Sequence, residues 1–314
     1  MLPTFDLDIM MIGHFARDEV FVDGRGGEVP GGAVYYGGVA LQRLGQQVAV
    51  VTRLRQEDFP LLDELRVEGV LVYATPASRT SGIANHYNSA DMERRVCRPL
   101  GFAGPFTLAD IPDLTARIYA VVPIIAGEVD LPLLKSLAAR GPVALDVQGF
   151  VRVRQGDELV FRQWPDMAEG LRHVTYLKVD RAEAELLTGE TDLTIAARQL
   201  KDYGPREVVL TQSTGVTVYA GGDVYTAPFT PRSLDGRTGR GDTCFATYLG
   251  KRLTASPAEA CRWAGAVTSL KQEQPGPWRG TPADVLEQMS KWANGQMSKW
   301  ANGQMGKFGE NQNG

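Results

Sequence analysis

The stretch "IYAVVPIIAGEVDLPLLKSLAARGPVALDVQGF" (118–150) decides the fold class. An apolar run, IYAVVPIIAG, leads into a helical stretch, LPLLKSLAARG, and then into a second strand-like run, VALDVQGF. The first run has the length of a buried strand and falls well short of a membrane span. A strand, a helix and a strand in that order predict a βαβ unit with parallel strands.

The same rhythm continues on both sides. Upstream, LDIMMIGHF reads as a buried strand and GAVYYGGVALQRLG as a helix closing on Gly45. QVAVVTRL follows as a strand, and DFPLLDELRVEG as a helix opened by Asp58 and Pro60 and ended by Gly69. Downstream come strand TYLKV, helices RAEAELLTG and LTIAARQLKDYG, and strand EVVLTQS. The whole predicts an α/β chain with a mostly parallel sheet covered by helices on both faces. GVTVYAGGDVYTAPF departs from the rhythm and reads as an antiparallel hairpin, with helices after it.

Two stretches interrupt the alternation. DEVFVDGRGGEVPGG (18–32) alternates apolar and polar residues, and SGIANHYNSADMERRVCRPLG (81–101) reads as two strands around a polar turn. Both are too short and polar to carry a core. They fit either a small β-flap covering a substrate or plain surface hairpins. Arg94, Arg95 and Arg98 on the second stretch fit an anionic substrate or a solvated charged face.

The chain has 314 residues, 43% of them hydrophobic and 22% charged, with a net charge of −4. That composition is ordinary for a soluble globular protein, and the charge gives no strong draw toward nucleic acid or anionic lipid. Cys97, Cys244 and Cys261 are odd in number and far apart, fitting neither a disulfide framework nor a zinc site. The first residues lack the pattern of a secretory leader, so a reducing, cytoplasmic setting is expected. His14, His86 and His173 show no metal spacing, and His14 is expected in the core. Walker A, G-x-G-x-x-G after a strand, H-E-x-x-H and G-x-S-x-G are all missing, which disfavours the chemistries they carry. At the other end QMSKWANG (288–295) recurs at 296–303, followed by a degraded third copy. Trp292 and Trp300 are candidates to dock on the body, and GENQNG beyond them has a disordered composition.

Chemistry concentrates in DGRTGRGDTCFATYL (235–249). Gly239, Arg240, Gly241 and Asp242 stand directly before an apolar helical pattern. A helix N-terminus presents unpaired N–H groups and the positive end of the macrodipole, and glycines let a phosphate approach that backbone. Asp242 at the first turn fits a helix cap as well as a catalytic base. Capping accounts for Asp242 and Thr243 but not for the Gly-Arg-Gly in front.

TGRGDTCFA resembles the T-G-A-G-D-x-F signature of the ribokinase-like (phosphofructokinase B type) carbohydrate and nucleoside kinases. The resemblance implies that Gly239, Arg240 and Gly241 form an anion hole for the transferring phosphate and that Asp242 is the base. GGAVYYGGVALQRLG (31–45) resembles the family's first signature, giving Gly31 and Gly32 to the substrate side. Asp18 takes the place of the aspartate that binds two hydroxyls, and Tyr36 stands where many members have a sugar-binding Asn. KVDRAEAELLTG resembles K-x-N-x-x-E-x-x-x-L-T-G, placing Asp180 near the phosphates and Glu183 as an organiser of Mg2+ through water. VVLTQSTGVTVY resembles the nucleotide-binding strand and loop, one residue short, and points to Thr211, Ser213 and Gly215. Glu128 and Asp146 end predicted parallel strands, where such sheets place ligands. Glu128 is carried as a substrate contact, and Asp146 reads better as a buried carboxylate satisfied by backbone.

The resemblance, which covers roughly residues 5–287, implies a three-layer α/β/α sandwich with a small β-lid. The lid segments would be about 18–31 and 82–99, with 1–287 the kinase domain and 288–314 a repeated helical or disordered tail. It implies ATP and Mg2+ as cofactors and transfer of the γ-phosphate to a sugar or a cyclitol such as myo-inositol. The alternatives are a nucleoside kinase, with Tyr35 or Tyr36 as stacking face, and a catalytically silent binding member of the same fold. Neither nucleic acid nor membrane is expected as a partner. Unpaired lid edges suggest a homodimer formed through the lid.

Overall fold

The computed structural model describes residues 5–88 and 91–301; side chains are described outside 87–96 and 293–301. The chain opens with β1 (Leu7–Ile12), then the lid hairpin β2 (Ala16–Val22) and β3 (Arg25–Gly31), helix α1 (Ala33–Arg43) and β4 (Val48–Arg55). A 3-10 turn over Gln56–Leu62 and the short α2 (Asp63–Val67) lead to β5 (Leu71–Ala77). The lid resumes with β6 (Gly82–Asn88) and β7 (Asp91–Gly101). Then follow β8 (Ala116–Val121), α3 (Leu131–Ala138), β9 (Val143–Asp146), α4 (Gln148–Val151), and the hairpin β10 (Arg152–Gln155) and β11 (Glu158–Phe161). After α5 (Met167–Leu171) come β12 (Tyr176–Asp180), α6 (Arg181–Thr188), α7 (Leu193–Asp202), β13 (Glu207–Gln212), β14 (Gly215–Ala220) and β15 (Asp223–Pro228). Helices α8 (Arg240–Arg252), α9 (Pro257–Gln272) and α10 (Pro282–Ala301) close the described chain.

The main sheet has nine strands in the order β15-β14-β13-β12-β9-β8-β1-β4-β5. All pairs from β5 to β13 are parallel, and β14 and β15 add an antiparallel edge. The chain moves outward from β1 in both directions, through β4 and through β8, so a crevice opens at the C-terminal ends of these strands. Alternation builds the two cores. Ile9, Met11, Val48, Val50 and Val209 pack under α1, α8 and α9. Met10, Ile12, Ala49, Val51 and Val208 face α3, α6 and α7. Successive strand residues point to opposite faces, so an unbroken apolar strand feeds both layers at once.

The two interruptions seen in the sequence form one four-stranded sheet, β3-β2-β6-β7, separate from the main sheet. They are joined by a parallel pair, with Glu19 opposite Ala84. Two expectations change. Residues 58–69 make a 3-10 turn with only a five-residue α2, because Pro60 lies inside the turn. The strand VALDVQGF stops at Asp146, and α4 turns the chain into β10. At the far end α10 runs without a break across residue 287. Its Val285 and Met289 join Trp263 and Trp278 in a small core, and the Trp292 indole donates to Thr230 Oγ1 at 2.8 Å. Trp300 lies outside the residues whose side chains are described.

Candidate active site

Helix α8 starts where the sequence changes from glycine and charge to apolar residues. Gly239, its N-cap, has φ 80°, and an added Cβ would overlap the ring of Tyr36. Glycine is therefore required there by both backbone and space. Its N-cap glycine makes no side-chain cap, and Asp242 stands in the first turn. The opened N-terminus is held from behind. Gly236 donates its N–H to the Gln272 carbonyl at 2.8 Å, and Lys271 Nζ, whose pKa burial lowers to about 7, donates to the Gly236 carbonyl. A Cβ on Gly236 would overlap the Gln274 carbonyl, so the loop lies pressed on the end of α9. Arg237 and Arg240 are both engaged by other groups.

Beneath this N-terminus lie the C-terminal ends of β9, β12 and β13. A Cβ on Gly241 would sit 3.7 Å from Lys178 Nζ and 3.9 Å from Thr211 Oγ1. Lys178 is buried and pairs with Asp146 at 3.1 Å and with Glu183 at 3.7 Å. Those carboxylates hold its pKa above the usual lysine range against the cost of burial, so it stays an ammonium. Asp242 is partly buried. Burial, with the charge of Asp146, pushes its pKa up to about 6, while Lys178, Arg152 and Lys271 pull it back down. A carboxylate ionised near neutrality but easily protonated is matched to general-base work.

Asp180 and Glu183 form a reciprocal capping box on α6. Asp180 Oδ1 accepts from the Glu183 N–H at 2.8 Å, and Glu183 Oε2 accepts from the Asp180 N–H at 2.7 Å. Glu183 Oε1 is buried and has no hydrogen-bond partner. Burial and Asp180 raise the Glu183 pKa. Among the described residues no group of three or more His, Cys, Asp or Glu is placed to hold a metal ion directly. The orphaned Oε1 does fit a hydrated cation approached through water.

On the lid side, Asp18 Oδ1 accepts from the Ile83 N–H at 2.8 Å and ties β2 to β6. Gly31 leaves the room Asp18 occupies, since a Cβ there would overlap its Oδ2. Gly32 has φ 89°, and a Cβ on it would overlap the His14 carbonyl. Tyr36 lies between the halves. It is 3% exposed, its hydroxyl donates to the Pro30 carbonyl at 3.2 Å, and burial with the charges of Asp18 and Asp242 raises its pKa. Tyr36 thus backs Gly239 as wall. Tyr35 packs on Phe15 and donates to Glu64 at 2.6 Å. Neither ring offers an open stacking face.

Three more of the expected contacts lie on loops and strand ends. Glu128 is wholly buried and accepts from the Ile124 and Ile125 amides, each at 2.8 Å, and from His14 at 3.2 Å. It staples the loop after β8 and does not line the recess, and burial pushes its pKa up to about 7. Ser213 lies in the two-residue turn between Gln212 and Gly215. Gly215 is a packing glycine, because a Cβ would crowd the Ala227 carbonyl at 2.6 Å. His14 is a core residue between Phe102 and Phe106, and burial lowers its pKa to about 3. His86 stacks on Phe21 in the lid, and His173 lies 3.5 Å from Glu169. Arg98 is exposed on β7, while the side chains of Arg94 and Arg95 fall outside the described ones. Sequence reasoning passed over Lys178, Lys271 and Arg152 and undervalued Asp146. The available signal was a basic residue inside an apolar strand or helix pattern.

An open helix N-terminus over a buried ammonium, with a tuned carboxylate beside it and a lid aspartate opposite, suits phosphoryl transfer. The comparisons agree: residues 4–284 match the pfkB family carbohydrate kinase model, and the chain belongs to that family. A cytidine kinase of Thermococcus kodakarensis is 28% identical over 267 residues, 81% of this chain and 92% of the relative. A pyrophosphate-dependent kinase in the ribokinase family, solved with a pyrophosphate analog and myo-inositol, is 35% identical with a TM-score of 0.82, over 89% of this chain and 99% of its own. The ribokinase of Arabidopsis thaliana, 18% identical with a TM-score of 0.71 over 90% of this chain and 98% of its own, shares the fold. The chain is thus a phosphotransferase of the ribokinase-like, pfkB-type carbohydrate kinases. No described helix is long and apolar enough to cross a membrane.

Proposed function

We propose that this chain phosphorylates a hydroxyl of a cyclitol of the myo-inositol kind, with pyrophosphate as donor. The observation that carries the reaction is Asp242 in the first, uncapped turn of α8, with Lys178 beneath Gly241 and Asp18 across Tyr36. Support for the donor comes from the two-residue turn at Ser213 and Thr214, which leaves little loop to hold an adenosine, and from the pyrophosphate-dependent neighbour. ATP, the donor expected from the family signature, is the competing reading. A nucleoside acceptor, favoured by the cytidine kinase likeness, is opposed by the burial of both tyrosine rings.

In the proposed step Asp18 orients vicinal hydroxyls, and Asp242 takes the proton of one as its oxygen attacks the terminal phosphorus. The P–O bond to the leaving phosphate breaks, giving a phosphate ester and inorganic phosphate, with the proton on Asp242. The amides of the α8 N-terminus, Gly241 included, and the Lys178 ammonium meet the growing negative charge. Magnesium, held through water by Glu183 and Asp180, would screen the donor's phosphates. Asp242, Gly239 to Gly241, Asp18, Gly31, Gly32 and Thr211 are the residues of this reading. We place the protein in the cytoplasm. Dimerisation through the lid would use β3, a half-exposed edge strand, and sedimentation tests it.

The deciding experiment measures phosphate or ADP release with pyrophosphate or ATP, across inositols, sugars and nucleosides, beside Asp242→Asn. Turnover of myo-inositol with pyrophosphate, lost in the variant, is the expected result. Turnover with ATP alone overturns the donor assignment. Turnover of a nucleoside alone overturns the acceptor.

A further inference from the structure

Residues 229–239 carry the chain from β15 to α8 without regular structure, and they lie along the end of α9. The Thr230 N–H donates to Ser269 Oγ at 2.9 Å, and the Arg232 N–H to Glu273 Oε1 at 3.0 Å. The Gly236 N–H donates to the Gln272 carbonyl at 2.8 Å. These contacts hold the loop by its amides. Lys271 alone reaches into it with a buried side chain. It is 2% exposed, and its Nζ donates to the Gly236 carbonyl.

The same amine touches the loop a second time, through an aromatic ring. Lys271 Nζ lies 5.1 Å from the centre of the Tyr36 ring. That ring is pressed on Gly239, where an added Cβ would come within 2.3 Å of Tyr36 Cγ. Tyr36 is in turn fixed from the lid side, its hydroxyl donating to the Pro30 carbonyl at 3.2 Å. One side chain therefore braces both ends of the segment 236–239, which delivers the chain to the α8 N-terminus. Lys178 is different, since Asp146 and Glu183 pair with it. Gly236 is buried, so its carbonyl loses its described partner if the amine is removed, and the loop must shift to satisfy it.

We propose that Lys271 is a positioning residue for phosphoryl transfer: its amine fixes Gly236 directly and Gly239 through Tyr36, and so holds the α8 amides where the donor's terminal phosphate needs them. This rests on the kinase reading above. Lys271 acts through the loop and touches no reacting atom. Preorganised donors lose their effect when displaced, and a shift of about 1 Å can cost about 10²-fold in rate. The acceptor side has its own anchor, the Ile83 amide on Asp18, so the loss should fall on the donor.

The test compares wild type with Lys271→Met, which keeps the chain length without a donor, and with Lys271→Gln, whose donor is too short to reach Gly236. Turnover is measured with myo-inositol saturating and pyrophosphate, then ATP, varied. Calorimetry gives the myo-inositol affinity, and mass spectrometry follows backbone amide exchange over 229–239 and over the lid. Both variants are expected to lose at least tenfold in donor kcat/KM, to keep the myo-inositol Kd within twofold of wild type, and to exchange faster over 229–239 but not over the lid. Either variant decides if the other does not fold. A loss below tenfold in a folded variant overturns the proposal, whatever happens to its melting temperature. So does faster exchange in the lid or myo-inositol binding weakened beyond twofold, which makes Lys271 a general support of the fold, and so does failure of both variants to fold. If wild type turns over with neither donor, the kinase reading fails first and this proposal with it.

Discussion

Asp242 concentrates the argument at the scale of one residue. Its ionised form is disfavoured by burial and by Asp146 and supported by Lys178, Arg152 and Lys271, with the balance at about 6. As a base it works only when ionised, so kcat/KM for the acceptor is expected to fall about tenfold per pH unit below about 6, with a plateau above it. A profile flat to pH 5 would remove Asp242 as the base. Asp242→Asn is expected to lower kcat by roughly 10²–10⁴-fold, read in a turnover assay with the acceptor saturating. The same shift has a sign for stability. The folded chain holds the Asp242 proton more tightly than the unfolded one, so ionisation costs stability. That cost is absent below about pH 4 and complete above about 6. Asp242→Asn should therefore melt above wild type at pH 8 and lose that advantage at pH 4, in scans across that range. With Asp242 as the proposed base, activity would be kept at the expense of stability, as at other preorganised sites.

At the scale of the element, α8 separates what a glycine does for the fold from what it does for chemistry. Gly239 is left-handed and pressed on Tyr36, so Gly239→Ala is expected to cost folding as well as activity. Gly241 has helical backbone, and a Cβ there would meet Lys178 and Thr211 at ordinary contact distances of 3.6–3.9 Å. Gly241→Ala should hold or raise stability by about 0.4–1 kcal/mol in urea unfolding, while donor kcat/KM falls at least tenfold. Equal activity would show that no anion uses that space. The sequence made this element legible because glycine, charge and apolar period meet within a few residues. The lid strands and the βαβ units were legible for the same local reason. Less legible was anything fixed by partners far away in the chain. Glu128 looked like a strand-end ligand, yet its oxygens are taken by backbone amides of its own loop and of His14. Lys178 and Asp146 are paired across neighbouring strands, and the local pattern of neither strand announces that pairing. The 3-10 turn at Gln56–Leu62 shows Pro60 shortening a helix that periodicity alone extends.

At the scale of the whole molecule, the two sides of the site come from different bodies of structure. In the proposed reaction the phosphate side would be built by α8 on β9, β12 and β13 of the main sheet, and the hydroxyl side by the lid strands β2, β3 and β6. Tyr36 joins them, under the charges of both Asp18 and Asp242. Each side also has an anchor of its own. Lys271 and Gly236 fasten the α8 loop, and the Ile83 amide fastens Asp18. Donor and acceptor should therefore stabilise the fold separately, each by RT ln(1 + [L]/Kd), about 2.7 kcal/mol at a hundredfold excess over Kd. Thermal melts with myo-inositol alone and with pyrophosphate alone are expected to rise by several degrees each. Asp18→Asn should then divide the two. Its amide oxygen still accepts from Ile83, so the lid holds, but the charge that orients a diol is gone. The myo-inositol shift should vanish while the pyrophosphate shift stays within a degree or so of wild type. If both shifts disappear together, the lid and the anion hole form one binding unit, and the separation drawn between them is wrong.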